Sequence, residues 1–337
     1  MTLGIQRLRQ RAGGRAMQGF FAGAANLGRM HPRADPARHG VEVIRDIPYV
    51  ERSGVREHQL DVYRPRDRSG PCPIVLYIHG GGFQILSKET HWIMGLAFAS
   101  RGYVVFNVSY RLAPQHPFPA AVEDVSLAYR WVVDHAARYG GDPSRLVVAG
   151  ESAGANLATA VTLATVYDRD EPYARTIHRT GVVPRACAPA CGIFQVSDVA
   201  RFSRRRRDLS RFVQERIDDV ERHYIGLDPS AHGAALDFAD VLPWVERGDA
   251  PARPIPPFFL PVGTRDPLLD DTRRLATALR GLGATVDDRY YEGGIHAFHA
   301  FVFLAQARQV WIDKFAFLRE HVPGASAERV TYAAVGR

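Results

Sequence analysis

Two hydrophobic rhythms alternate along the chain. Short apolar runs at Ile74–Ile78, Tyr103–Ser109, Arg145–Ala149, Arg185–Val196 and Pro256–Gly263 predict strands buried in the middle of a sheet. Between them lie stretches with apolar residues three and four apart. Ala120–Tyr139 places Val122, Val125, Ala128, Tyr129 and Val132 on one helical face, and Gly140-Gly141-Asp142-Pro143 stops it. An Ala-rich helical pattern follows residue 152, and Leu268–Gly281 and Phe301–Glu320 read as helices flanking a strand at Thr285–Tyr291. Strand and helix in alternation predict βαβ units and a mostly parallel sheet with helices on both faces, hence an α/β fold. Val41–Tyr49 and Val55–Tyr63, around the turn Arg52-Ser53-Gly54, predict an antiparallel pair at the start of the sheet.

Two regions break the rhythm. Asp168–Arg179 reads as polar and irregular. Residues 198–256, with a helical part at Asp208–Tyr224, read as an insertion at the carboxyl edge of the sheet. The expected organisation is a core of residues 41–197 and 257–322, a helical cap formed by residues 198–256 with residues 1–40 as a further piece, and a tail at 323–337.

Composition changes this picture little. Of the 337 residues 46% are hydrophobic and 23% charged, as in a soluble globular protein, and no apolar run approaches the ~20 residues that span a bilayer. The expected location is the cytoplasm, since the start lacks the apolar core of a secretory signal. The formal charge of +7 is concentrated: residues 1–40 hold seven arginines against Asp35, net +6. The remainder is close to neutral, which argues against a nucleic-acid partner. For the basic N-terminus the sequence leaves open a lid over the site, contact with an anionic membrane surface, and a mobile leader. Its Arg-rich, acid-poor character also resembles a transit peptide. A homodimer is a further expectation. The run Arg204-Arg205-Arg206-Arg207 reads as a solvated face. Cys187 and Cys191 fall in one expected strand, roughly 13 Å apart at ~3.3 Å per residue, too far to bridge. With Cys72 they form no metal-ligand spacing.

Chemistry enters at Val147–Ala158, where an apolar strand meets Gly150-Glu151-Ser152-Ala153-Gly154 and a helical pattern starts at once. That context is a nucleophile elbow: a sharp turn exposes the Ser152 hydroxyl, and the Ala153 N–H at the helix start faces a developing oxyanion. A second signal is His79-Gly80-Gly81-Gly82-Phe83, directly after a core strand. Three glycines there are entropically unfavourable unless the backbone must come close to a ligand, as in an oxyanion loop. A nucleophilic serine needs a base and an acid to orient it, in the order Ser, Asp/Glu, His. Asp266 and His296 each follow an expected strand on the same sheet edge. Asp270 and Asp271 compete for the acid but fall on the next helix. His299 competes for the base but is expected at the start of the closing helix.

The residues His79–Gly82, Tyr110–Asp124, Gly150–Gly154, Asp266-Pro267-Leu268 and His296-Ala297-Phe298 resemble, in order and spacing, the bacterial hormone-sensitive-lipase-like carboxylesterases of the α/β-hydrolase fold. The resemblance covers roughly residues 72–320. It implies Ser152 as nucleophile, His296 as base, Asp266 as its orienter, and an oxyanion hole of the Gly81, Gly82 and Ala153 N–H groups. It implies a capped apolar acyl pocket, a small ester as substrate, and no metal or organic cofactor. The chain departs from the family's common residues at Ala155 and Ala297, where Gly is usual, at Gln115, where Glu is usual, and at Phe83-Gln84-Ile85-Leu86, where a small-residue turn is usual. The expected function is hydrolysis of short- to medium-chain carboxylic esters through an acyl-enzyme. An amidase or deacetylase on the same triad and a non-catalytic small-molecule binder are the alternatives.

Overall fold

The computed structural model describes residues 18–205 and 210–324. Eight strands form one sheet: β1 (Val41–Pro48), β2 (Gln59–Pro65), β3 (Cys72–Ile78), β4 (Val104–Val108), β5 (Gly141–Glu151), β6 (Ala186–Ala190), β7 (Phe258–Gly263) and β8 (Val286–Tyr291). Their order is β1-β2-β4-β3-β5-β6-β7-β8. β1 pairs antiparallel with β2, and β2 with β4; every later pairing is parallel. The expected α/β architecture and the antiparallel start therefore hold.

Alternation along β3 divides the core. Ile74, Leu76 and Ile78 belong to the core layer that also holds buried residues of α3 (Ala120–His135), α4 (Ala153–Val166), α5 (Pro172–His178), α8 (Val241–Glu246) and α9 (Leu269–Gly281). Val75 and Tyr77 face the other way, toward α2 (Trp92–Ala99) and α10 (Ala305–His321). The period of two in a strand sends successive side chains to opposite faces, so a central strand with both faces covered must be apolar throughout.

Several boundaries differ from expectation. The strand expected at Arg185–Val196 ends at Ala190, because Cys191 turns the backbone to φ 42°. Within the irregular Asp168–Arg179 lies α5, started by Pro172, whose fixed φ suits a first helical turn. The helix expected over Ala120–Tyr139 gives way after His135 to a 3₁₀ turn ending at Gly140, φ 83°. The closing helix starts at Ala305 rather than Phe301, since Phe301 and Leu304 have non-helical ψ angles of 69° and 139°. His299 consequently lies in a separate 3₁₀ turn, Phe298–Ala300, and not at a helix start.

Over residues 198–256 the chain forms α6 (Ala200–Arg205), α7 (Arg211–Tyr224), a 3₁₀ segment at Pro229–Phe238 and then α8. Residues 18–30 form a helix, α1. Arg206, Arg207, residues 1–17 and the tail from 325 lie outside the described residues; Arg204 is exposed and pairs with Asp198. All three cysteines are free. Among the described residues no helix is long and apolar enough to cross a membrane.

Candidate active site

The site is assembled at the carboxyl edge of the parallel strands. β5 runs into Ser152, whose φ and ψ of 54° and −119° are rare for a residue with a side chain. α4 begins at the next residue, and the Ala155 and Asn156 N–H groups donate to the Ser152 carbonyl. The turn closes this tightly only because of its glycines. A Cβ on Gly154 would lie 2.2 Å from the Ile78 carbonyl oxygen.

β7 and β8 deliver the other two groups. Their following loops cross so closely that a Cβ on Gly263 would sit 2.0 Å from the Gly294 oxygen. The Arg265 N–H donates to that same oxygen. This crossing brings Asp266 and His296 together. His296 Nδ1 lies 2.9 and 3.1 Å from the Asp266 carboxylate oxygens, and its Nε2 lies 3.0 Å from Ser152 Oγ. A carboxylate can only accept, so Nδ1 carries the proton and Nε2 accepts from the serine hydroxyl. Asp266 is fully buried and accepts from the Leu268 N–H at 2.8 Å, which fixes the carboxylate plane. Burial alone would push the His296 imidazole down. The Asp266 charge and hydrogen bond, with Glu151 behind, outweigh it and raise the imidazole above its ordinary value.

The glycine loop lies opposite. Gly81 has φ 115°, and a Cβ there would stand 2.0 Å from the Ile85 carbonyl oxygen. Only glycine allows this turn, which is held by Gln84 and Ile85 N–H groups donating to the Gly81 oxygen. Gly82 lies under α7, where a Cβ would come within 3.0 Å of Val220. His79 is buried and stacked on Tyr110 at 4.3 Å, and burial pulls its imidazole down to about 3. The Tyr110 hydroxyl donates to the His79 carbonyl. His79 is thus a neutral scaffold for the loop and stands outside the Ser152–His296–Asp266 chain of hydrogen bonds.

The residues that follow the glycines, Phe83-Gln84-Ile85-Leu86, make contacts to the helices above. Phe83 stacks on Tyr224 of α7 with ring centroids 3.7 Å apart. Gln84 Oε1 meets His223 Nδ1 at 2.7 Å, and the Leu86 N–H donates to Gln18 Oε1 of α1 at 2.6 Å. Asp271, one of the competing acids, accepts from Arg201 of α6 and from the Phe194 and Gln195 N–H groups. His299 contacts Glu151, 2.9 Å away. The sequence gives no sign that Glu151, His91, Cys191 and the α7 contacts meet at this site, because nothing in their spacing links them. Among the described residues, one trio offers ligand atoms to a metal, Cys191, Asp266 and His296, all within 4.8 Å of one another. Two of its members are already engaged in the chain to Ser152.

An eight-stranded, mostly parallel sheet with a serine elbow at its carboxyl edge is the architecture of an α/β hydrolase. Residues 75–300 match the family model described as alpha/beta hydrolase fold. The chain is 30% identical over 274 residues to the carboxylesterase NlhH of Mycobacterium tuberculosis, covering 79% of this chain and 80% of that one. It is 31% identical over 236 residues to the esterase LipI of the same organism, covering 67% and 66%. In fold it resembles a solved bacterial heroin esterase, with a TM-score of 0.73, 22% identity and 92% of both chains covered. The chain belongs to the bacterial hormone-sensitive-lipase-like carboxylesterases of the α/β-hydrolase fold.

Proposed function

We propose that this carboxylesterase acts on short- to medium-chain acyl esters through a covalent acyl-enzyme on Ser152. The supporting observation is the continuous chain Asp266–His296–Ser152, with 2.9 Å and 3.0 Å links, on a strained strand-to-helix turn. His296 Nε2 takes the hydroxyl proton as Ser152 Oγ attacks the ester carbonyl. The oxyanion then accepts hydrogen bonds from the Gly81, Gly82 and Ala153 N–H groups, the last at the dipole-positive end of α4. The protonated His296 passes its proton to the leaving alcohol. A water molecule, deprotonated by the same imidazole, hydrolyses the acyl-enzyme and restores Ser152.

The test is hydrolysis of p-nitrophenyl esters from acetate to palmitate, with Ser152→Ala as the blank. The expected result is turnover that falls with chain length and is lost by several orders of magnitude in the variant, on the order of 10⁴-fold or more. Activity within tenfold of the parent enzyme in Ser152→Ala would overturn the assignment. No turnover of any ester by the parent enzyme would move amides or simple binding to the front.

A further inference from the structure

Below the reacting groups lies a second carboxylate held by imidazoles, and the steps above do not use it. Glu151 ends β5, one residue before Ser152, and is buried. Its Oε1 lies 2.8 Å from His91 Nε2 and its Oε2 lies 2.9 Å from His299 Nε2. His91 immediately precedes α2, in the segment that continues from the glycine loop. His299 follows His296 by three residues. One carboxylate therefore joins the three segments that carry the oxyanion donors, the nucleophile and the base.

Each arm of this junction is anchored beyond Glu151. His91 Nδ1 lies 2.9 Å from Thr90 Oγ1 and 3.1 Å from the Ser87 carbonyl oxygen. The His299 carbonyl accepts from Trp311 Nε1 of α10 at 3.1 Å. The glycine loop also packs directly on Glu151: a Cβ on Gly80 would be 2.9 Å from the Glu151 backbone carbonyl oxygen and 3.1 Å from its Cγ. A buried ion cluster is an inefficient way to gain stability, since apolar groups of equal volume usually serve as well. Its position at the meeting point of three active-site segments gives it another use.

The charge of Glu151 reaches the site, where it helps to raise the His296 imidazole. Burial holds the Tyr77 and Tyr110 hydroxyls and the Cys191 thiol in their neutral forms. Burial likewise lowers His79 and His299, and it brings Lys314 of α10 down to about 8, so that at neutral pH this lysine still carries a charge that offsets part of that of Glu151. The Glu151 carboxyl stays well below the usual carboxylate range, because its two histidines outweigh its burial.

We propose that Glu151 is a positioning residue that fixes the oxyanion loop and the His296 loop against the elbow, and whose negative charge favours the imidazolium formed on His296 during attack. The proposal rests on the ester-hydrolase reading above. The experiment is the pH profile of kcat and KM for p-nitrophenyl acetate with Glu151→Gln and Glu151→Asp. For Glu151→Gln, kcat should fall on the order of tenfold with KM nearly unchanged, and the acid limb of kcat/KM should move to lower pH. Glu151→Asp keeps the charge but shortens the arm. It should lose kcat while its acid limb stays at the parent position.

A Glu151→Gln enzyme with the parent kcat and an unmoved acid limb would overturn the proposal. Should Glu151→Gln fail to fold by circular dichroism, His299→Asn, which breaks one arm, must lower kcat about tenfold at unchanged KM; parent kcat there would overturn it equally. The two readings fail separately. Activity retained in Ser152→Ala sinks the hydrolase mechanism, whereas an inactive Ser152→Ala beside an unaffected Glu151→Gln sinks only the role of Glu151.

Discussion

At the scale of single residues, His296, as the base of the proposed mechanism, would set the pH at which the site works. Its imidazole is raised chiefly by Asp266, against burial, and it must be neutral to accept the Ser152 proton. Activity should therefore be lost as pH falls through a value above that of free imidazole, which is ~6.5. A kcat/KM profile with its acid limb clearly below that of free imidazole would contradict this. Gly81 gives a second test. Alanine there would place a Cβ against the Ile85 carbonyl in a region of φ that side chains avoid. The loop would have to move and carry a proposed oxyanion donor with it, so Gly81→Ala should lower kcat by about 10² to 10³. Steady-state kinetics on p-nitrophenyl acetate would measure it. Ala297, where the family commonly has glycine, occupies the left-handed region at φ 54°. This departure is visible in the sequence, but that the backbone there is strained appears only in the fold.

Elements differ in how much of them a sequence discloses. Strands buried on both faces were legible because a continuous apolar run bounded by turn residues fits little besides a central strand. Ser152 and Asp266 could be singled out because each follows such a strand, and His296 because it follows β8, a more exposed strand that ends on the same edge. The helix start at Pro172 was overlooked inside a polar stretch, since local polarity hid a Pro-initiated turn. The placement of α6 could not be read either. It depends on Arg201, which is buried and bonds Asp271 of α9 at 2.6 Å across 70 residues of chain. Burial pushes the Asp271 carboxyl up, and Arg201 pulls it back toward its ionised form. Arg201→Ala would leave this carboxyl buried without its cation, which should cost about 3–5 kcal/mol. Urea denaturation would report it. Replacing both partners, as Arg201→Met with Asp271→Leu, should recover much of the loss, although the Phe194 and Gln195 N–H groups would then lack an acceptor.

Across the whole molecule, the loop after the three glycines is the meeting point of parts remote in sequence. Phe83 and Gln84 reach α7, Leu86 reaches α1, and Gly80, the first of the glycines, lies against Glu151 and Ser152. α1 is fastened at three places: Gln18 to Leu86, the Ala25 carbonyl to Trp92 Nε1, and Arg29 to the Glu89 carbonyl. Leu86 and Glu89 lie between the glycine loop and α2, and Trp92, largely buried, is the first residue of α2. Deleting residues 1–30 would expose that indole and leave the Leu86 and Trp92 donors to water. The remaining sheet and both core layers contain no residue of α1 among their fully buried side chains. The truncated chain should therefore fold, with Tm lowered by a few degrees, since 1 kcal/mol corresponds to about 2–4 °C in a domain of this order of size. Its kcat/KM should fall more sharply than its stability, because the Gln18–Leu86 hydrogen bond braces the loop proposed to hold the oxyanion. Melting by circular dichroism and ester kinetics on the same preparation separate the two effects. Unchanged kinetics with a lowered Tm would mean that α7 alone holds the loop, through the Phe83–Tyr224 stack, and Tyr224→Ala would then be the variant to impair turnover.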